Sequence, residues 1–405
     1  MDLSILANEI ETSPTLSLNE KAGLLRKKGE PVIHLGIGEP KNETPITAVT
    51  RSQELLKTRN IKYGPTSGQP ALKQAIIKYT EENYDRQVSQ GNIIVSTGAK
   101  QSLFNILLSI INPQDQVVLL APYWVSYPEI IKLGHGVPLV VNPEPGTFQP
   151  SVKDIESSIN PQSKAIIVNS PNNPSGLIYS DEFMAELVDY CERRGIYLIV
   201  DDIYHKLVSD GVQPSPAYRF TNESVDNSRI IVVNSVSKLY GMSGFRVGWV
   251  VANADLVQAM TKIQSQTTSC ASLVSQAAAE GALSGAQDVV EELRMSIENN
   301  RKLMIQHLDT LSKVQITPPE GALFCFPDFS GYDNDSTKLA NFILEKALVV
   351  TVPGIPFGME GYLRLSYAGS SSDIIEGIKR IKWVLDPDAD DEIIMGEKKV
   401  IRDWL

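Results

Sequence analysis

Lys164-Ala165-Ile166-Ile167-Val168-Asn169-Ser170-Pro171-Asn172-Asn173-Pro174-Ser175-Gly176 opens on an apolar run and ends in a loop that no regular element can continue. Four apolar residues without polar alternation are the pattern of a strand buried on both faces. The prolines, asparagines and glycine behind them stop that strand and stiffen the turn. The same pattern recurs on either side. Asn92–Ser96, Gln116–Ala121, Ile196–Asp201, Arg229–Asn234 and Val247–Ala252 are short apolar runs, and helical periodicity follows several of them, at Ser102–Ile111, Ser180–Arg194 and Ala254–Gln266. This alternation predicts an α/β unit over residues 46–285, with a mostly parallel sheet flanked by helices.

Beyond it the pattern changes. Gln287–Leu311 is one long helical stripe carried by Val290, Leu293, Ile297, Leu303, His307 and Leu311, long enough to bridge two units. Short strands at Ala322–Pro327, Leu348–Pro353 and Tyr362–Tyr367 and helices at Ser336–Glu345 and Ser371–Leu385 predict a smaller α+β domain over residues 286–385. Residues 1–45 are expected to pack on that domain. Residues 386–405 open with Asp386, Asp388, Asp390, Asp391 and Glu392 and read as a solvated acidic arm. No internal repeat or low-complexity tract interrupts the plan.

The 405 residues carry 37 Lys and Arg against 48 Asp and Glu, a formal charge of −11, with a pI of about 5.0. Without a basic cluster, that balance argues against a protein that tracks a phosphate backbone. Cys191, Cys270 and Cys325 are odd in number and far apart, which disfavours a disulfide framework or a thiolate zinc site. His34, His135, His205 and His307 have no metal-ligand spacing. No stretch approaches the ~18 consecutive apolar residues of a membrane span. The acidic N-terminus (Asp2, Glu9, Glu11, Glu20) is unlike a signal peptide. A soluble, cytoplasmic protein is expected.

In open α/β sheets ligands bind outside the carboxyl ends of the strands, so the polar residues there carry the chemistry. Thr97-Gly98-Ala99-Lys100-Gln101 opens a helix whose free N–H groups suit a phosphate, or is simply a helix start after glycine. The Asn169–Gly176 loop either points an amide at a ligand or is a capped rigid turn. Asp201-Asp202-Ile203-Tyr204 places a carboxylate at a buried strand end, which is costly without a cation or donor. Asn234-Ser235-Val236-Ser237-Lys238 precedes Arg246 and the glycines Gly241, Gly244 and Gly248, which permit close backbone approach. Singly, each has an ordinary structural explanation. Together they offer a phosphate cradle, an amide donor, a buried carboxylate and an amine, the set that pyridoxal phosphate requires.

With those residues in place the sequence resembles the class I aminotransferases among the fold-type I pyridoxal-phosphate enzymes, and within them the bacterial aspartate aminotransferases. The resemblance runs from Ser13 to about Leu385. It rests on Gly36-Ile37-Gly38-Glu39-Pro40, Tyr63–Gly68, Ser96–Gln101, Pro122–Pro128, Ser170–Gly176, Asp201–Tyr204, Ser235–Lys238 with Arg246-Val247-Gly248, and Tyr362–Ser366. It implies a seven-stranded large domain and a homodimer acting on amino acids and 2-oxo acids. Lys238 would bond covalently to pyridoxal 5'-phosphate and shuttle the substrate proton. Asp201 would pair with the ring nitrogen, Asn173 and Tyr204 would donate to the ring oxygen, and Trp124 would stack on the ring. Ala99 and Lys100 N–H groups, Ser235, Ser237, Arg246 and Tyr63 of the partner subunit would hold the phosphate. Arg364, with Gly38 and Asn173, would clamp the substrate α-carboxylate.

The chain departs from the family at Lys41-Asn42, where Asp-Phe often follows Gly-Glu-Pro. It also lacks an arginine in Ser265–Ser275, where some members lend one to the partner's distal carboxylate. Lys100 matches a lysine that contacts that carboxylate in the bacterial subgroup, and equally suits a helix-end cation near the phosphate. Aspartate and aromatic or neutral amino acids therefore both remain open as donors. So does a lyase or deaminase outcome on the same machinery. A dinucleotide oxidoreductase fails because Gly36-x-Gly38 lacks a third glycine and runs into Pro40. A DNA-reading regulator would need more than the thirty-odd residues ahead of the fold.

Overall fold

The computed structural model describes residues 3–11, 14–144 and 146–404, with side chains from residue 18 onward in the first long helix. Its large sheet has seven strands: β1 Ile93–Ser96, β2 Gln116–Leu120, β3 Val137–Val141, β4 Ser163–Asn169, β5 Tyr197–Asp201, β6 Ile230–Ser235 and β7 Gly248–Val251. They lie in the order β1-β7-β6-β5-β4-β2-β3. Only β7 runs antiparallel to its neighbours. The expected mostly parallel, helix-flanked sheet is what the chain forms.

Strand alternation sends Ile166, Val168, Leu198, Val200 and Val232 into one apolar layer, and Ala165, Ile167, Ile199, Ile231 and Val250 into the other. Each such side chain contributes roughly 1.5–3 kcal/mol on burial, which is why these runs show no polar alternation. β3 was not among the six runs recognised. It is an edge strand that contains Pro138 and leaves Val137 and Val140 partly exposed, so it lacks the signature of a strand covered on both faces. The register places Asn169 beside Asp201 and Asp201 beside Val233, levelling the strand ends that carry the polar residues.

The helix Asp288–Leu308 leads to an antiparallel sheet in which Leu363–Ser366 lies between Val352–Pro353 and Phe324–Cys325. Its buried stripe runs Val290, Leu293, Ile297, Asn300, Met304, Leu308. The sequence reading had continued it through Leu303 and His307. Asn300 hid the phase because it is polar, and it is buried because its amide donates to the carbonyls of Tyr367 and Gly369 at 3.0 and 2.9 Å. Near the N-terminus, Ile33–His34 pairs in parallel with Val349–Val350.

The last twenty residues correct the expectation of a solvated arm. Glu392–Met395 and Lys398–Ile401 form an antiparallel hairpin turning at Gly396, which has a positive φ of 62°. Ile393 and Met395 are buried, Trp404 packs edge-on against Trp383 at 5.2 Å, and Lys398 pairs with Glu30 at 2.8 Å. The acidic run masked a two-residue alternation at Ile393 and Met395. Met395→Ala should lower the unfolding free energy by about 2–5 kcal/mol, read from urea midpoints. Ile394→Ala, on the exposed side, should stay within about 0.5 kcal/mol. Equal losses would mean that the hairpin does not seat Met395.

Candidate active site

A cavity of about 450 Å³ opens at the carboxyl ends of β4, β5 and β6, and the Gly36–Glu39 segment, Phe324 and Arg364 complete its wall. Asp201 ends β5 within it. Tyr127 Oη donates to Asp201 Oδ2 at 2.7 Å, whereas Oδ1 is buried with no partner among the described residues. Burial pushes this carboxyl up to about 6, against the pull of Tyr127, the Ile203 N–H and Lys238. The oxygen thus waits for a donor, preferably a cationic one.

Asn169, level with Asp201, ties two loops together. Its Nδ2 donates to the Asp201 carbonyl at 2.7 Å, and its Oδ1 accepts from the Asn173 N–H at 2.8 Å. Asn173 is thereby fixed facing Arg364, whose Nη1 donates to Asn173 Oδ1 at 2.9 Å while Nη2 donates to the Gly36 carbonyl at 2.8 Å. Arg364 is 3 % exposed, lies 4.4 Å from the Phe324 ring centre, and keeps a buried Nε without a partner among the described residues. Both of its acceptors are neutral, and burial lowers its pKa to about 10. A guanidinium buried without a carboxylate is a binding site for one.

Lys238 follows the end of β6. Its Nζ donates to the Gly38 carbonyl at 2.6 Å. Burial first, then Arg364 and Arg246, push this amine down to about 8, with Glu39 and Asp201 opposing. Tyr204 is buried against Phe324, and its phenol is pushed up by desolvation. On the far side the helix Ala99–Ile110 points its N-terminus at the cavity, with Gly98 at φ 89° ahead of it. A Cβ on Gly98 would fall 2.5 Å from Arg246 Nη2, and one on Gly248 would fall 2.5 Å from the Ala99 nitrogen. The two glycines hold a helix N-terminus and an arginine close together, which suits a phosphate. Lys100 Nζ lies 4.9 Å from the Trp124 ring centre, with its pKa lowered by partial burial and by Arg246.

Gly38, Ala99, Lys100, Trp124, Asn173, Asp201, Tyr204, Ser237, Lys238, Arg246 and Arg364, named from the sequence, all line this one cavity. Ser235 and Tyr63 do not. Ser235 is fully buried beneath the loop and its Oγ accepts from the Ser237 N–H at 3.1 Å, so it shapes the cradle from behind. Tyr63 is 90 % exposed. Tyr127, Asn169, Asn19 and Phe324 also line the cavity and were given no role. Tyr127 stood within a recognised motif, and Asn169 was the polar end of a recognised strand. Nothing in the sequence marks Asn19.

The family model "Aminotransferase class I and II" matches residues 30–381. The chain belongs to that aminotransferase family. It is 38 % identical to the "Probable aspartate/prephenate aminotransferase" of Aquifex aeolicus, over 95 % of this chain and 98 % of that one. It is 36 % identical to the aspartate aminotransferase of Streptomyces avermitilis, over 95 % and 96 %. Among solved structures, the aspartate aminotransferase of Rhizobium meliloti superposes with a TM-score of 0.91 at 32 % identity, covering 95 % of this chain and 99 % of the other. The Thermus thermophilus aspartate aminotransferase with maleate gives 0.90 at 32 %, covering 95 % and 100 %.

This aminotransferase therefore depends on pyridoxal 5'-phosphate, which supplies an aldehyde to take up an amino group and a ring that withdraws electrons from the substrate Cα. The cavity fits that group: an unpartnered carboxylate oxygen, an amine of lowered pKa and a glycine-lined helix N-terminus face one space. The buried Asp201 carboxyl titrates near 6 and an unfolded aspartate near ~4. The folded cofactor-free chain thus holds an extra proton between those values. Asp201 stabilises the fold fully below that window and progressively less as pH rises through it. Cofactor-free Asp201→Asn should gain stability relative to wild type between about pH 4 and about pH 7 in denaturant titrations. Parallel curves would refute the raised carboxyl.

Proposed function

We propose that this aminotransferase takes a dicarboxylic L-amino acid, aspartate first, as donor. It would pass the amino group to a 2-oxo acid in a ping-pong cycle, as a cytoplasmic homodimer. The observation that carries the reading is the set of cations around the cavity. Arg364 is buried without a carboxylate, Arg246 lies at the helix N-terminus, and Lys100 stands beside Trp124. A substrate α-carboxylate, a phosphate and a distal carboxylate would occupy them in turn. The names of the relatives point the same way, and maleate in the Thermus neighbour is itself a dicarboxylate.

In this reading each residue acts at a stated place. Arg364, held by Asn173 and the Gly36 carbonyl, orients the substrate so that its Cα–H faces Lys238. Lys238 Nζ takes that proton and returns it, a task for which an amine lowered to about 8 is better suited than an ordinary lysine. Asp201 Oδ1 would accept a hydrogen bond from the protonated ring nitrogen, and Tyr204 and Asn173 would donate to the ring oxygen. The Ala99 and Lys100 N–H groups, Ser237 and Arg246 hold the phosphate, with Ser235 supporting Ser237. Trp124 covers the ring.

Tyr63 of the partner subunit completes the phosphate site. Its 90 % exposure in the isolated chain supports that assignment, since an aromatic side chain left in water is available to a second copy. Residues 46–285 would carry the cofactor and residues 286–385 would close on it. Three unpaired cysteines support a reducing compartment.

Replacing Lys238 by Ala should cut turnover by about 10²-fold or more. Lys100→Gln should raise KM for aspartate about tenfold and leave a neutral donor within about twofold, the worth of one charge-assisted hydrogen bond. Steady-state kinetics with both donors checks this, and equal effects would remove Lys100 from substrate selection. Product analysis decides the chemistry. The 2-oxo product should match the acceptor consumed, and ammonia release without acceptor would overturn the reading.

A further inference from the structure

Outside the cavity lining, just beyond Asp201–Tyr204, lies a buried cluster of polar side chains that the reaction does not touch. His205 is its centre and is 6 % exposed. Its Nδ1 lies 2.8 Å from the Asp202 carbonyl oxygen. A carbonyl only accepts, so Nδ1 carries the proton. Nε2 then offers a lone pair, and the Tyr79 hydroxyl, 2.8 Å away, donates to it. The Asn234 amide approaches Nδ1 at 3.4 Å and donates instead to the Tyr84 hydroxyl at 2.9 Å. Tyr84 stacks on the imidazole with ring centres 5.6 Å apart, and Tyr79 meets it edge-on at 5.7 Å. One neutral tautomer in one orientation satisfies both nitrogens, and burial lowers the imidazole pKa to about 3, in keeping with that state.

The contact has a consequence for the cavity because of where the Asp202 carbonyl sits. The Asp201 carbonyl is held by Asn169 at 2.7 Å, and the Asp202 N–H donates to the Val233 carbonyl at 2.9 Å. The next carbonyl, that of Asp202, accepts from the His205 ring at 2.8 Å and from the His205 backbone N–H at 3.1 Å. Both peptide groups that follow the Asp201 Cα are therefore tied, and the Asp201 carboxyl has little freedom except the torsions of its own side chain. We propose that His205 is a positioning residue for Asp201: by pinning the Asp202 carbonyl it fixes the angle at which the carboxyl meets the cofactor's ring nitrogen. The inference rests on reading Asp201 as the ring-nitrogen partner.

The test uses the geometry of amide side chains on the cofactor-loaded enzyme. Asparagine places an N–H where Nδ1 of histidine lies, and glutamine places one where Nε2 lies. His205→Asn should keep the pH midpoint of the bound cofactor's visible absorbance and its rate of cofactor loss close to wild type. His205→Gln should speed cofactor loss about tenfold and move the midpoint up by about half a unit, because a ring nitrogen less firmly protonated withdraws fewer electrons. Tyr79→Phe keeps the bulk of the cluster and removes only the Nε2 donor. It should move both readouts in the direction of His205→Gln by about threefold in rate.

A bulk packing role predicts instead that the asparagine and glutamine variants lose urea stability and cofactor alike. That result, or an unchanged Tyr79→Phe, would overturn the proposal. The underlying reading fails separately. If Asp201→Asn leaves cofactor retention and absorbance intact, Asp201 is not the ring partner. If Asp201→Asn disrupts both while the two His205 variants match each other, only the positioning role is lost.

Discussion

Asp201 is a carboxyl group taken out of water with one oxygen satisfied and the other left bare. Desolvating a charge of this kind costs several kcal/mol before any partner is found, so the fold supports it only by surrounding it with rigid structure. The sheet does this through register. Asn169 is the last residue of its strand, lies beside Asp201, and holds both the Asp201 carbonyl and the loop bearing Asn173. Tyr127 fixes the other carboxylate oxygen from the helix that follows β2. In the proposed role, a protonated ring nitrogen would donate to that bare oxygen.

The second part of the chain answers the same constraint with the opposite sign. Arg364 comes from the central strand of the small antiparallel sheet, yet its acceptors are Asn173 from the loop after β4 and Gly36 from the N-terminal segment. Three separate stretches of chain therefore meet at one guanidinium. Residues 36–42 connect them: the Ser243 hydroxyl donates to Glu39 on the large-sheet side, and Lys41 pairs with Asp373 on the helix Ser371–Leu385. The cation remains unneutralised among these contacts, since every acceptor it meets is a neutral oxygen.

Much of this was legible in the sequence because hydrophobic burial and strand-end chemistry leave local marks. Apolar runs such as Ile166–Val168 and Ile230–Val233 can hardly be anything but strands covered on both faces; the first ends in Asn169, which lines the cavity, and the second leads within a few residues to Ser237 and Lys238, which do. What escaped was written in longer-range terms. Asn300 is buried because two distant carbonyls need its amide, so its helix appeared to change phase there. The terminal hairpin rests on Pro31 and Glu30, far away in sequence, and its acidic lead-in suggested water. Ser235 entered as a phosphate ligand through the family resemblance, which carries no information about which way its hydroxyl faces here. Its oxygen accepts from the Ser237 N–H and its side chain is fully buried outside the cavity lining.

The charges in the cavity are displaced in the direction that pairing among themselves would prevent. An ordinary ion pair between Asp201 and Lys238 would lower the acid and raise the amine. Here burial dominates both, so the carboxyl rises to about 6 and the amine falls to about 8, with their mutual attraction among the smaller contributions. The Gly38 carbonyl accepts from the amine, Tyr127 donates to the carboxyl, and the space between them stays open. Keeping opposite charges apart in a poorly solvating cavity is unfavourable for the empty protein. It leaves each group with an unmet demand, the acid for a cationic donor and the amine for a carbonyl carbon. In the proposed roles of Asp201 and Lys238, one planar cofactor with a protonated ring nitrogen and an aldehyde would meet both demands.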